Sequence, residues 1–277
     1  MTITALTTYR SLEFPNMLWL EAETADGVVG LGETFYAAEA VEAYIHANLA
    51  PIVLGMSAVD IEAVHYRTRP YVGFVAASTE LRARSALDIA LWDVLGKLTG
   101  QPISVLLGGR IRSQIPVYNT CAGNQYVRGT KLGTTENFGI DYSGTDQNYE
   151  DLDRFLNDPV GLAGSLLDMG IDSMKIWPFD FAAESTQGQF ISPAELNKAL
   201  APFEAIKKEY GDRMQISAEL HGMWNLSESL IICQALDEIG MRWIEDPVFL
   251  TNPTGIQELK RTVRSRIAMG ETRGGAD

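Results

Sequence analysis

Cysteine is nearly absent from this chain. Its 277 residues include two, Cys121 and Cys233, with no paired spacing, so no disulfide framework is implied and a reducing compartment fits. Cys233 lies in the helical apolar run SLIICQAL and reads as a buried thiol. Basic residues are also short: 22 Lys and Arg against 36 Asp and Glu give a net charge of −14. That balance argues against nucleic acid and anionic membrane surfaces as partners. A small anionic substrate stays allowed, because a bound metal inverts the local field. Long apolar runs are missing too. No stretch reaches the length of a membrane span, and the N-terminus has no basic region followed by a long apolar one. The protein is expected to be soluble and cytoplasmic. Two of the few histidines, His46 and His65, fall in predicted helices without other ligand types around them and read as packing or surface residues.

What is present suits a globular protein of one large domain or two: 46% of residues are hydrophobic and 21% charged, enough for a substantial core. The informative stretch runs from Met214 to Pro247. MQISAEL ends an apolar run on Glu219, MRWIEDP ends one on Glu245, and RIAMGET ends a third on Glu271. The spacing repeats, since 245 − 219 = 26 and 271 − 245 = 26. Twenty-six residues fit one strand, one helix and two short loops, the βα unit of a parallel sheet. Acids that end successive parallel strands meet at one end of the sheet, where a β/α barrel keeps its site. Three converging carboxylates cannot all stay ionised without a cation, and a hard divalent ion, Mg²⁺ first, answers that need. Three carboxylates and one Mg²⁺ sum to −1, and Lys175, in the strand-like run DSMKIWPFD, is the lysine that could neutralise the remainder. A single acid after a strand more often caps a helix or solvates a loop; three at equal spacing favour the metal.

Residues 2–34 read as a meander of short strands, with Ala25-Asp26-Gly27 as a hairpin turn. Residues 37–49 and 58–68 read as helices. Residues 78–99 give the strongest helical signal, with Leu87, Ala90, Leu91, Val94, Leu95 and Leu98 on one face, Ser78 as N-cap, and Gly100 with Pro102 as the stop. A strand is expected near 115–123, a long polar insertion over 124–157, and a helix near 158–169. The lysine strand follows at 172–178, then a polar loop over 181–192. A helix opened by Ser192-Pro193 comes next, with further helices at 226–239 and 253–264. The expected boundaries are an N-terminal α+β domain over 1–112 and a β/α barrel portion over 113–277. Five βα strands are predicted where a closed barrel needs eight, and the open edge this leaves suggests a fragment of a longer protein.

Ser85 to Asp93 (SALDIALWD), followed by Leu106-Leu107-Gly108-Gly109, resembles the linker helix of the enolase superfamily in its mandelate racemase/muconate lactonizing enzyme-like branch. Trp243-Ile244-Glu245-Asp246-Pro247 resembles that branch's second metal ligand, Gly270-Glu271-Thr272 its third, and Glu219 falls where the first belongs. The resemblance covers nearly the whole chain. It implies an α+β capping domain with a β/α barrel, one Mg²⁺, and abstraction of the proton α to a substrate carboxylate, with nearby cations stabilising the enediolate. Many relatives carry Lys-x-Lys on the second barrel strand, the second lysine being a base; here Lys175-Ile176-Trp177 puts an indole at that place. The family's other base, a histidine oriented by an aspartate, belongs to strands beyond Asp277.

His221, two residues after Glu219, shares its strand face and is similar to the histidine with which acid-sugar dehydratases of the family protonate the departing hydroxide. Those relatives usually have Asp as first ligand, where this chain has Glu219. The expected function is therefore Mg²⁺-dependent dehydration of an acid sugar to a 2-keto-3-deoxy acid. Glu219, Glu245 and Glu271 are expected to hold the metal, Lys175 to stabilise charge and His221 to be the general acid. Trp177 and Arg273 are expected at the substrate. Racemisation, epimerisation or cycloisomerisation of a carboxylate is the alternative, and a truncated, non-catalytic metal-binding relative a third. A homo-oligomer is expected by resemblance.

Overall fold

A computed structural model describes residues 1–69, 78–123, 150–249 and 251–271. The chain divides into two compact units, one formed mainly by Met1–Ile115 and one by Pro116–Arg273.

The first unit opens with an antiparallel meander of β1 (Ile3–Arg10), β2 (Met17–Thr24) and β3 (Val29–Phe35). The middle strand alternates as a half-buried strand should: Leu18, Leu20, Ala22 and Thr24 turn inward, which is the period-2 pattern of one core face. The predicted helix over 37–49 is a composite of α1 (Ala38–Tyr44), a π-helical turn (Ile45–Leu49) and α2 (Ala50–Val53). After α3 (Ile61–Arg67), α4 runs from Thr79 to Thr99. Ser78 stands at its N-cap position without a capping side-chain hydrogen bond, and Gly100 closes it at φ 63°. The apolar face read from the sequence is the buried one, with Ala83, Ala86, Leu87, Ala90, Leu91 and Val94 in the core.

α4 lies hard against β3. A Cβ on Gly30 would sit 2.0 Å from the Ala90 carbonyl oxygen, and one on Gly32 would sit 1.9 Å from that of Ala86. Two glycines in GVVGLGET thus let a helix approach a strand at backbone distance. Polar side chains of α4 finish the junction: Asp93 accepts from the Leu31 N–H at 2.8 Å and Lys97 donates to the Val29 carbonyl at 2.7 Å. His46 and His65 bond Thr8 and Asp88, as packing or surface residues would. A short α5 (Ile103–Leu106) follows.

The second unit is built on a parallel sheet in the order β4 (Ser173–Ile176), β5 (Gln215–Glu219), β6 (Ile244–Glu245), β7 (Ile267–Ala268). Before β4 come α6 (Asp151–Asn157) and α7 (Pro159–Asp168), and between the strands run α8 (Asp180–Thr186), α9 (Pro193–Tyr210), α10 (Leu226–Ile239) and α11 (Pro253–Thr262). β4 is buried at every residue, as a strand covered on both faces must be. Ser192 and Glu195 form a full capping box at the start of α9.

Two expectations need correction. Residues 181–192, read as a polar loop, hold all but the first residue of α8, a seven-residue helix that buries Ala182 and Ala183; so short a run carries almost no periodicity. The strand expected at 115–123 is reduced to one bridge, Asn119 against Met174. Asn119 explains the arrest: its side-chain oxygen accepts from the Cys121 N–H at 2.6 Å, a local bond that competes with the ladder, and Cys121 turns to φ 54°. The insertion read over 124–157 lies outside the described residues up to 149 and ends in α6. Among the described residues no helix is long and apolar enough to cross a membrane.

Candidate functional site

The parallel order fixes where the acids stand. Glu219 and Glu245 are the last residues of β5 and β6 and are paired in register. Glu271 follows β7 by three residues. One carboxylate oxygen from each lies within 4.8 Å of those of the other two. Glu219 is buried, Glu245 half-buried and Glu271 exposed, so the cluster is open on the Glu271 side.

Backbone geometry ties the three strand ends together. Leu220 N–H donates to the Glu245 carbonyl and Gly222 N–H to that of Asp246, at 3.0 and 2.6 Å. Asp246 N–H reaches the Ala268 carbonyl at 2.9 Å, and its Oδ1 accepts from the Gly270 N–H at 3.1 Å. Asp246, at φ 40°, therefore anchors both the Glu219 loop and the turn that carries Glu271. Sequence reasoning passed over it as part of Glu-Asp-Pro.

Lys175 comes up from β4 and bridges two of the acids, with Nζ 2.7 Å from Glu219 Oε2 and 2.8 Å from Glu245 Oε1. Burial alone would lower its pKa, but the bonds and charges of Glu219 and Glu245 outweigh it and hold the ammonium above its ordinary range. Burial pushes Glu219 up to about 7 against the pull of His221 and Lys175. Burial acts the same way on Glu245, but there Lys175 and the Trp243 indole N–H, 2.9 Å from Oε2, win and hold it below its usual value. Trp243 in turn stacks edge-on against Tyr118, whose ring lies under Lys175 Nζ at 5.8 Å.

The residues present fit a hard divalent cation. All three donors are carboxylates, and one oxygen of each lies within 4.8 Å of those of the other two, near enough for a single oxygen-preferring ion to draw the set together. The charges also close: three carboxylates, one ammonium and a divalent cation sum to zero.

His221 sits two residues past Glu219, in the left-handed region at φ 49°. Its N–H donates to Glu219 Oε1 at 3.0 Å, its ring meets that of Trp177 edge-on at 5.6 Å, and its Nδ1 is 2.8 Å from Asp180 Oδ2. Burial disfavours the imidazolium, but Asp180, with Glu219 and Glu271 behind it, overrides burial and lifts the pKa to about 9. Asp180 itself is pushed up by burial, against the pull of His221.

Comparison with known proteins now decides the family. The N-terminal domain model of mandelate racemase/muconate lactonizing enzyme matches residues 4–108, and the enolase C-terminal domain-like model matches residues 160–276. A crystal structure of an enolase of the mandelate racemase subgroup from Agrobacterium tumefaciens is similar with a TM-score of 0.82 at 39% identity, over 98% of this chain and 64% of that one. The chain belongs to the enolase superfamily, in its mandelate racemase-like subgroup. Among curated relatives, the D-mannonate dehydratase of Novosphingobium aromaticivorans is 27% identical over 98% of this chain and 65% of its own length. The D-galactonate dehydratase of Pectobacterium atrosepticum is 26% identical over 98% and 62%. The chain spans just under two thirds of the length of each of these proteins.

The superfamily's capping domain and β/α barrel account for the meander with α4 and for the parallel sheet. Of the residues singled out from sequence, the structure gathers Glu219, Glu245, Glu271, Lys175 and His221 at one end of that sheet. Trp177 is beside them but buried, between Phe155 and His221, with its N–H toward the Thr120 carbonyl at 3.3 Å. Arg273 lies outside the described residues. Asp180 was missed. Its only sequence signal was an acid five residues past Lys175, and its partner His221 is 41 residues away.

Proposed function

We propose that this chain carries the metal-binding and acid-donating part of a Mg²⁺-dependent acid-sugar dehydratase. The observation that carries the reading is His221 beside Glu219, on the same strand end as three glutamates spaced to hold one cation. The names of the D-mannonate and D-galactonate dehydratase relatives support the same substrate class.

Glu219, Glu245 and Glu271 would hold the ion. Bound there, Mg²⁺ would draw negative charge from the substrate carboxylate and so acidify the adjacent carbon. The Lys175 ammonium, fixed between Glu219 and Glu245, faces the charge that develops on that carboxylate, a preorganised cation of the kind that lowers such barriers. When a base takes the α-proton, the electron pair of the broken C–H bond forms the carbon–carbon double bond and expels the β-hydroxide. His221 gives that hydroxide a proton, so it departs as water, and the enol tautomerises to a 2-keto-3-deoxy acid. Trp177 stands where many relatives have a lysine base and walls the ring of His221. His221 is the sole histidine of residues 116–273, and it is assigned the acid's role.

Incubation with a panel of aldonic and aldaric acids and Mg²⁺, followed by assay for 2-keto acids, tests the reading. Product from at least one acid sugar, abolished in His221→Asn, supports dehydration. Exchange of the α-hydrogen with deuterated solvent without release of a keto acid would replace dehydration with epimerisation.

A further inference from the structure

We propose that Asp180 is the positioning residue of His221, holding its ring by Nδ1 so that Nε2 is the nitrogen that delivers the proton. The proposal takes its chemical purpose from the dehydratase reading; its geometry stands apart from it.

Asp180 is the first residue of α8, shortly after β4 with its Lys175 and the Trp177 that follows it, and it is 0% exposed. Burying a carboxylate is costly unless a partner compensates it. Here neither carboxylate oxygen takes a well-aligned hydrogen bond among the described residues; what faces the carboxylate is His221, whose Nδ1 stands 2.8 Å from Oδ2 as an ion-pair contact. A cap for α8 does not explain this carboxylate, because the N-cap is Phe179 and no side-chain cap bond is made.

The rest of His221 is restrained from other sides. Its main chain is set by the bond from its N–H to Glu219 and by a left-handed φ, and Trp177 stands edge-on against its ring. A bonded main chain and an edge-on aromatic wall do not tell one ring nitrogen from the other. Asp180 does. A carboxylate at Nδ1 keeps that nitrogen protonated, so the neutral ring left after reaction is a single tautomer with Nε2 empty. In the cycle, Nε2 loses its proton to the departing hydroxide, the N–H bond breaks and an O–H bond of water forms. Nδ1 keeps its proton, and Asp180 neither gains nor loses one.

Proton NMR of the full chain labelled with ¹⁵N-histidine tests this without turnover. The expected result is a downfield Nδ1–H resonance that exchanges slowly with solvent, is missing in His221→Asn, and moves upfield in Asp180→Asn. Wild-type protein whose His221 Nδ1 carries no proton would overturn the proposal, and that measurement needs no variant to fold. In the activity arm, Asp180→Asn should lower kcat about 100-fold, the scale of a small misplacement, with KM nearly unchanged, and Asp180→Glu should recover part of the loss. Wild-type kcat in Asp180→Asn would sink the assignment. If the wild-type chain dehydrates no acid sugar, the functional reading fails, and the Nδ1–H resonance still decides for or against Asp180.

Discussion

At the scale of single residues, Lys175 sets the terms of the site. Its ammonium touches the same carboxylates that would hold a cation, and its side chain is 7% exposed. Removing one partner from a buried ion pair leaves an uncompensated charge and costs about 3–5 kcal/mol. Lys175→Met should therefore lower the stability of metal-free protein by that order in a denaturant titration. The deficit should shrink when Mg²⁺ is added and also as pH falls, because without the Lys175 ammonium Glu219 and Glu245 take up protons at higher pH than in the wild type. A deficit indifferent to both would mean that Lys175 serves packing alone. The acids and this lysine were legible in the sequence because each follows an apolar strand run, and parallel strands bring their C-terminal ends together. Asp180 was not legible, since nothing local shows which of many acids a distant histidine will meet. The same holds for Trp243, whose indole N–H fixes Glu245 through a bond between residues that look like plain strand packing.

At the scale of elements, contacts between neighbours decide what sequence periodicity leaves open. The face of α4 could be read, but its distance from β3 could not, and that distance rests on Gly30 and Gly32. Gly32→Ala would force a Cβ to 1.9 Å from a helix carbonyl and should destabilise the first unit by at least about 1–3 kcal/mol, the usual cost of overpacking. Ser192→Ala removes a capping box and should cost about 1 kcal/mol, measurable by thermal denaturation. Asp237 makes a pH-dependent joint between α10 and β7: its carboxylate accepts from the main-chain N–H groups of Arg264 and Ser265 and from the Ser265 hydroxyl. Burial opposes its charge, yet these bonds win and hold its pKa below the usual value. A depressed folded pKa gives stability that is present above the unfolded value, about 3.9, and is lost as pH falls through the folded one. Asp237→Asn should flatten that part of the acid limb while lowering stability near neutrality. An acid limb that keeps its slope would show that the joint contributes nothing. The missing strand at 115–123 belongs to this scale as well: its apolar residues looked like a strand, but the Asn119 side chain accepting from the Cys121 N–H was enough to stop the ladder.

At the scale of the whole molecule, the net charge of −14 and the glutamate cluster pull the same way. Folding the barrel unit gathers three carboxylates that the unfolded chain keeps apart, so a cation that binds the gathered set and not the scattered one must stabilise the fold by mass action. At a concentration 100 times its Kd, the gain is about 2.7 kcal/mol. Mg²⁺ should therefore raise the Tm in a concentration-dependent way, a chelator should reverse the rise, and Glu245→Gln should abolish most of it while leaving the metal-free protein folded. General screening of so acidic a chain would also raise the Tm with added salt, and the two effects separate by stoichiometry. Screening by Na⁺ at matched ionic strength acts on every surface carboxylate alike and survives Glu245→Gln, whereas a bound ion saturates at one equivalent and is lost with its ligand. A Mg²⁺ response that equals the Na⁺ response in both proteins would leave the three strand-end glutamates as surface charge, and the proposed chemistry would lose its metal.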